Sequence, residues 1–446
     1  MKRNQKRIWL VTVVIIQITL VFALSALSQA KGKVYVNFKQ TVLKNGLRVF
    51  TVEDHNAPVI TLEAHYHVGS RNEKKGLTGI NHLLEHVTNL DSNITDDLVT
   101  KIGGTLNAGA GRDSTTYFYI FPSNQLNLSL VLESQRMKRF DITKEIIERE
   151  KNITRQEGKQ RSETTPYGAN SILLTKMMFD NFAINSLGDD DLDNVTIKDL
   201  QEFYNIYYAP NNAVLVLVGD FKTDKAISRI KELFEEIPRK PEPPPIDMTE
   251  PEQKVERRGT REDNLARLPR VDIGYKTVQG NTPDFYALHV LSFALRGGQS
   301  SRLYQKLVRE KQIANNVGGG MDGSFRGAPW QTSFLISATL RAGAKTENAE
   351  PVIYEEIERL KKEPLSDLEL QKAKDLAERE YVFGTMSSSR PIAFNLGYFA
   401  ITYNEPNLIN TWLDKLSAVT KEDVRRVANK YLKQTNRSVL ITVPKG

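Results

Sequence analysis

At 446 residues the chain exceeds what one ordinary hydrophobic core organises and suits two domains of about 200 residues each. Its composition, 40% hydrophobic and 26% charged, is that of a globular protein, and no basic cluster interleaved with aromatics supports a nucleic-acid partner. The absence of cysteine excludes thiol catalysis, cysteine metal ligands and disulfides.

The first predicted element is a targeting segment. Four cations precede an apolar run at residues 8–27, and Ser28-Gln29-Ala30 offers small residues at the usual cleavage positions. That is the layout of a secretory signal peptide over residues 1–30, cleaved on export. The run is long for a signal, so the alternative is an uncleaved membrane anchor through residues 8–27. Removing Lys2, Arg3, Lys6 and Arg7 lowers the net charge from +7 to +3, so much of the basicity belongs to targeting.

Residues 34–54 alternate as short strands around Asn45-Gly46, a hairpin signal. Residues 59–68 alternate again and put His65 and His67 on one strand face. Two such histidines can chelate a metal, although a packed or solvated face is the commoner meaning.

Residues 78–90 (TGINHLLEHVTNL) predict a helix with two stripes. Ile80, Leu83, Leu84 and Val87 fall at core spacing, and His82, Glu85, His86 and Asn89 share the opposite face. Thr78 is the expected N-cap. Histidines one turn apart can bind one zinc ion, and a glutamate between them can reach a metal-bound water without being a ligand. His82-x-x-Glu85-His86 is the inverted form of the commoner zinc-peptidase motif.

The glycines of residues 103–111 break helix before the β-rich run 114–121, and mark either a close backbone approach or a bare loop. Residues 141–158 read as a charged helix on which Glu150 and Glu157, two turns apart, share a face. A solvated acidic face is the usual meaning of such a run. A dihistidine site nevertheless lacks a third ligand that a carboxylate would supply.

A capped helix from Thr196, a buried strand ending at Asp220 and an amphipathic helix over 223–237 follow. The proline-crowded residues 238–256 read as a stiff linker between domains at 31–237 and 257–446. At an offset of 224, Thr196, Asp199, Asn205, Tyr207 and Asn212 align with Thr420, Asp423, Asn429, Tyr431 and Asn436, which implies duplication. Only His289 of the six histidines lies in the second half, so one half binds metal and the other keeps the scaffold.

With these motifs in view the chain resembles the pitrilysin/insulinase family of zinc peptidases, in its bacterial, mitochondrial-processing-peptidase-like branch. Gly69-Ser70-Arg71, Glu73, the helix motif, Gly104, Leu106-Asn107-Ala108 and residues 208–212 (YAPNN) fit the family pattern in order. The resemblance implies an α+β fold of two duplicated α/β domains, each an antiparallel sheet covered by helices, facing each other around a chamber. It implies Zn2+ held by His82, His86 and Glu157, with Glu150 as supporting carboxylate or substitute ligand, and Glu85 activating a zinc-bound water. Peptide or unfolded-protein substrate is expected to add as a strand beside Asn107 and Ala108.

Complete family members also contribute an arginine and a tyrosine from the second half. Arg309 is kept here, whereas Asn315 stands where tyrosine belongs, and Val87-Thr88-Asn89 departs from the family pattern after His86. The resemblance therefore implies a dimer, favouring a heterodimer whose metal-free partner supplies arginine and tyrosine. The expected activity is an exported, periplasmic zinc endopeptidase; the alternative is an exported peptide-binding or scaffold subunit.

Overall fold

The computed structural model describes residues 35–88, 92–140 and 142–445. The predicted signal segment, Asn89 and Leu90 lie outside the described residues.

The alternating segments become strands. β1 (Lys39–Val42) and β2 (Arg48–Glu53) form the expected hairpin, and Gly46 turns it at φ +93°. With β3 (Val59–Tyr66), β4 (Thr105–Ala110), β5 (Thr115–Pro122) and β6 (Ala213–Gly219) they make a sheet ordered β1-β2-β6-β3-β5-β4. A second sheet joins β7 (Arg257–Asp263), β8 (Arg270–Lys276), β9 (Ala314–Met321), β10 (Ser333–Leu340) and β11 (Arg437–Pro444) in the order β7-β11-β8-β10-β9. Apart from β1 the orders correspond strand for strand, with β4 and β9 as equivalent open edges. Each sheet is mixed rather than purely antiparallel. β6 and β11 return after long helical excursions and run parallel to β2 and β7, as a strand arriving by a crossover can.

The helices that position the site and the seam are α1 (Ile80–Thr88), α2 (Leu126–Lys138), α3 (Lys144–Glu163), α4 (Asn170–Met178) and α5 (Ile197–Tyr207) in the first half. In the second half they are α6 (Pro283–Arg296), α7 (Asp367–Met386), α8 (Ser389–Thr402) and α9 (Lys421–Tyr431). Duplication persists at atomic detail. α5 and α9 are each opened by a Thr–Asp capping box, and after each an asparagine, Asn212 or Asn436, donates 2.8 Å to the carbonyl of Tyr207 or Tyr431. Among the described residues no helix is long and apolar enough to cross a membrane.

The halves are interlocked. α4 packs on β8 and β11 of the second sheet, and α8 packs on β3 and β6 of the first. Asn170 of α4 donates to Asp272 (2.6 Å) and Thr442 (2.9 Å), and Thr61 of β3 bonds Ser389 of α8 at 2.8 Å. His65 is buried under α8, 5.7 Å from the Phe394 ring, and a Cβ on Gly397 would stand 2.2 Å from its Nε2. Residues 238–256 carry no helix or strand, as their prolines require, yet they are pinned. Asn211 exchanges hydrogen bonds with Lys240, Gln253 donates to the Arg437 carbonyl, and buried Glu250 accepts from Lys276. A cavity of about 360 Å³ lies on the seam, walled by residues such as Ala108 and Thr116 from one half and Trp330 and Arg390 from the other.

Candidate metal centre

The motif helix α1 is held on three sides. Its stripe of Ile80, Leu83 and Leu84 is buried in the first-half core, and Val87 packs partly against it. At its start Thr78 is not the cap. The helix begins after Gly79 (φ +90°), a carboxylate from outside it takes a first-turn amide, and another ties down the residue before it. Thr78 donates to Asp191 through its N–H (3.1 Å) and hydroxyl (2.7 Å), and the Asn81 N–H donates to Glu73 at 3.1 Å. Acids at this end suit the helix dipole.

At the other end Thr88 turns inward rather than lining a pocket wall. Its hydroxyl donates to the Leu84 carbonyl (2.8 Å) and pairs with the Tyr117 hydroxyl at 2.7 Å. The Arg136 guanidinium of α2 donates to the Thr88 carbonyl, lies 3.8 Å from the Tyr117 ring centroid and bonds Glu133 at 3.1 Å. Glu133 also accepts from Tyr66 (2.7 Å) and Tyr119 (3.0 Å). A fully satisfied buried network thus fixes the C-terminal end of the helix.

From this frame His82 and His86 project side by side, ring centroids 4.9 Å apart. Glu157 of α3 faces both: its Oε2 lies 3.6 Å from His82 Nε2 and 3.7 Å from His86 Nε2. One ligand atom from each of the three falls within 4.8 Å of the others. Two imidazoles and a carboxylate converging on one point, with one side open, fit a zinc ion of the catalytic kind. The outward nitrogens are held as well. His82 Nδ1 faces Asp189 and His86 Nδ1 faces Glu150, each at 3.2 Å, so both Nε2 atoms are directed at the shared point. Burial would raise the Glu150 carboxyl, but hydrogen bonds from His86 and Arg149 hold it below its ordinary range. Glu85, 8% exposed, is pushed above its ordinary range by burial, against the smaller opposing pull of His86 and His82.

The remaining predicted residues fall elsewhere. Asn107 and Ala108 stand on the open edge strand β4, so the glycine stretch is in part a strand rather than a bare loop. The Ala108 N–H is taken by the Asn107 side chain at 2.7 Å. Arg309, exposed on the π-helical stretch Tyr304–Glu310, donates to Gln299 at 3.0 Å. Asn315 is the extra residue of a bulge in β9, between the pairs Ala314–Leu340 and Asn316–Thr339, and is exposed. His65 and His67 form no metal-binding group among the described residues: His65 is sealed beneath α8, and His67 bonds Arg71 at 2.7 Å. His289, buried on α6, meets Glu380 of α7 at 3.1 Å.

Sequence reasoning placed Glu73 in the family pattern without a role, and missed Arg136, Asp189 and Asp191. The run Asp189-Asp190-Asp191 was a visible signal, although nothing local indicates that it folds back over 107 residues to His82. It also missed Arg161, one turn beyond Glu157, whose guanidinium lies 3.5 Å from His82 Nε2 and 4.0 Å from Glu157 Oε2.

Comparison with known proteins agrees with this geometry. Residues 48–190 match the family model described as insulinase (peptidase family M16), and residues 194–376 match the one described as peptidase M16 inactive domain. The zinc protease PqqE of Helicobacter pylori is 29% identical over 418 residues, 91% of this chain and 93% of its own length. A probable mitochondrial-processing peptidase subunit beta of Arabidopsis thaliana is 23% identical, covering 88% of this chain and 76% of its own. The crystal structure of a protease from Helicobacter pylori superimposes with a TM-score of 0.84 at 28% identity, covering 92% of this chain and all of that one. A metal-ready first half and a second half without the motif are joined in one duplicated fold, and the chain belongs to the insulinase (M16) family of peptidases.

Proposed function

We propose that the chain is an exported zinc endopeptidase acting on peptides or unfolded polypeptide segments. The observation that carries this reading is the convergence of His82, His86 and Glu157 on one point with Glu85 on the same helix. A zinc ion bound there would supply Lewis acidity toward water and the scissile carbonyl.

The chain's own groups supply the rest. Glu85 accepts a proton from the attacking water, and its raised affinity for protons suits it to pass that proton to the leaving amine. Asp189 and Glu150 hold the imidazoles in register. The open edge of β4 receives the substrate backbone, the Ala108 N–H becoming available once the Asn107 carboxamide turns aside. Arg309 and Asn315, near the second half's edge strand, are assigned to the substrate's far side.

Residues 1–30 support export with cleavage near Lys31. The exposed, short Asn315 supports a dimeric enzyme whose partner supplies a longer donor. The test is Glu85→Gln in the purified chain with a quenched peptide and metal analysis. Zinc is expected to stay, and hydrolysis to fall at least about 100-fold. Unchanged turnover would remove Glu85 from the reaction. Zinc without turnover in the parent chain, alone and with its partner, would leave the peptide-binding subunit as the remaining function.

A further inference from the structure

Beside His82 a cavity of about 550 Å³ opens between α1, the second half of α3, α4 and the loop of residues 187–190. Ile172, Leu173 and Leu187 give it apolar walls, and its charges are unevenly committed. Among the anions, Glu73 is occupied by the Asn81 amide and Ser186, Asp189 by His82, and Asp190 by Lys176. Among the cations, Arg155 pairs with Asp193 and Arg112 with Asp322. Lys159 has no ion-pair partner among the described residues, and of the lining acids only exposed Glu163 is similarly uncommitted.

Arg161 is the decisive residue. Its only close polar side-chain neighbours are His82 Nε2 and Glu157 Oε2, the two atoms a metal ion would claim. An ion bound there takes both acceptors and repels the guanidinium. The Arg161 side chain is 63% exposed and free to swing over the cavity mouth. Metal loading would therefore leave two cations without ion-pair partners, Lys159 and Arg161, the latter keeping only the hydrogen bond from its Nε to the Glu157 carbonyl at 3.4 Å.

We propose that this cavity is a specificity subsite which takes an acidic side chain of the substrate peptide beside the scissile bond, gripped by Arg161 with Lys159. The inference rests on the peptidase reading and adds a substrate class to it. Guanidinium–carboxylate pairing is bidentate and geometrically selective, so the isosteric glutamine is the correct comparison.

Two measurements test it. Zinc affinity by chelator competition is expected to rise about fivefold in Arg161→Ala, because a competing cation is removed from the ligands. Then paired fluorescent peptides differing only in Glu or Gln at one position near the scissile bond are titrated onto the zinc-loaded Glu85→Gln chain, with the position scanned. The Glu peptide is expected to bind about tenfold more tightly at one position. Arg161→Ala in the same background should bring that ratio close to one, and Arg161→Lys should restore part of it. Equal binding of Glu and Gln at every position overturns the inference and leaves the peptidase reading intact. Failure of every peptide to bind overturns both.

Discussion

Asp189 and Glu150 each hold one imidazole of the proposed centre, and their removal gives a graded loss of metal. Both contacts are 3.2 Å from a carboxylate oxygen to Nδ1, and they arise from separate segments, a loop after α4 and the middle of α3. Loss of such a partner typically costs 10- to 100-fold in metal affinity, about 1.4–2.8 kcal/mol. Asp189→Ala and Glu150→Ala should fall in that range. Asp189→Asn and Glu150→Gln should fall near its lower end, since an amide oxygen still accepts from Nδ1–H and Asp189 is wedged against Gly158, where a Cβ would meet its Oδ2 at 2.9 Å. The two carboxylates have no shared partner among the contacts above, so the double alanine variant should be additive within about 0.5 kcal/mol. The assay is zinc competition against a fluorescent chelator at fixed pH, with circular dichroism to confirm folding. Affinities within twofold of the parent in both alanine variants would refute the idea that these acids orient the ligands.

Other consequences follow from the same contacts. Arg136→Met strands a carboxylate that is 0% exposed, so it should destabilise the protein by about 3–5 kcal/mol in chemical denaturation. Burial pushes the Glu63 carboxyl up to about 8, against the weaker pull of Arg390 and Arg326, and pushes neighbouring His65 down to about 3. Between about pH 6.5 and 8 the folded state therefore holds a proton on Glu63 that the unfolded chain has released, and stability should fall with rising pH by up to about 2 kcal/mol. Below about pH 6.5 His65 charging in the unfolded chain opposes that trend. Denaturation midpoints across this range should flatten above pH 6.5 in Glu63→Gln; an unchanged slope would contradict the assignment. Gly397→Ala forces a methyl onto His65 and should cost about 1–3 kcal/mol, with part of the loss recovered in the double variant carrying His65→Ala.

How much of this was legible depends on how local the cause is. The two stripes of α1 follow from helical period alone, and Glu157 two turns beyond Glu150 does too. The duplicated Thr–Asp caps and Asn212/Asn436 were legible because a capping box is a three-residue event. The edge at Asn107 and Ala108 came only through the family resemblance, because a Thr-Leu-Asn-Ala-Gly-Ala segment has little strand preference of its own and is extended by pairing with β5. The exchange of α4 and α8 was equally hidden, since both helices carry ordinary apolar surfaces whose partners lie in the other half of the chain. Thr78 misled because a hydroxyl before a helix is a good cap in general. Here Glu73 takes the Asn81 amide, while Asp191 ties Thr78 down through its own N–H and hydroxyl. The lack of helix or strand over residues 238–256 follows from their prolines, whereas the contacts of Lys240, Glu250 and Gln253 that pin the segment depend on residues far away in sequence.

Metal analysis of the purified chain and of Glu157→Gln, after zinc loading and exhaustive dialysis, tests the central claim most directly. The account predicts one zinc per chain in the parent and in Glu85→Gln, and little in Glu157→Gln. A parent chain that keeps no zinc, or a Glu157→Gln chain that keeps it as firmly as the parent, would contradict it.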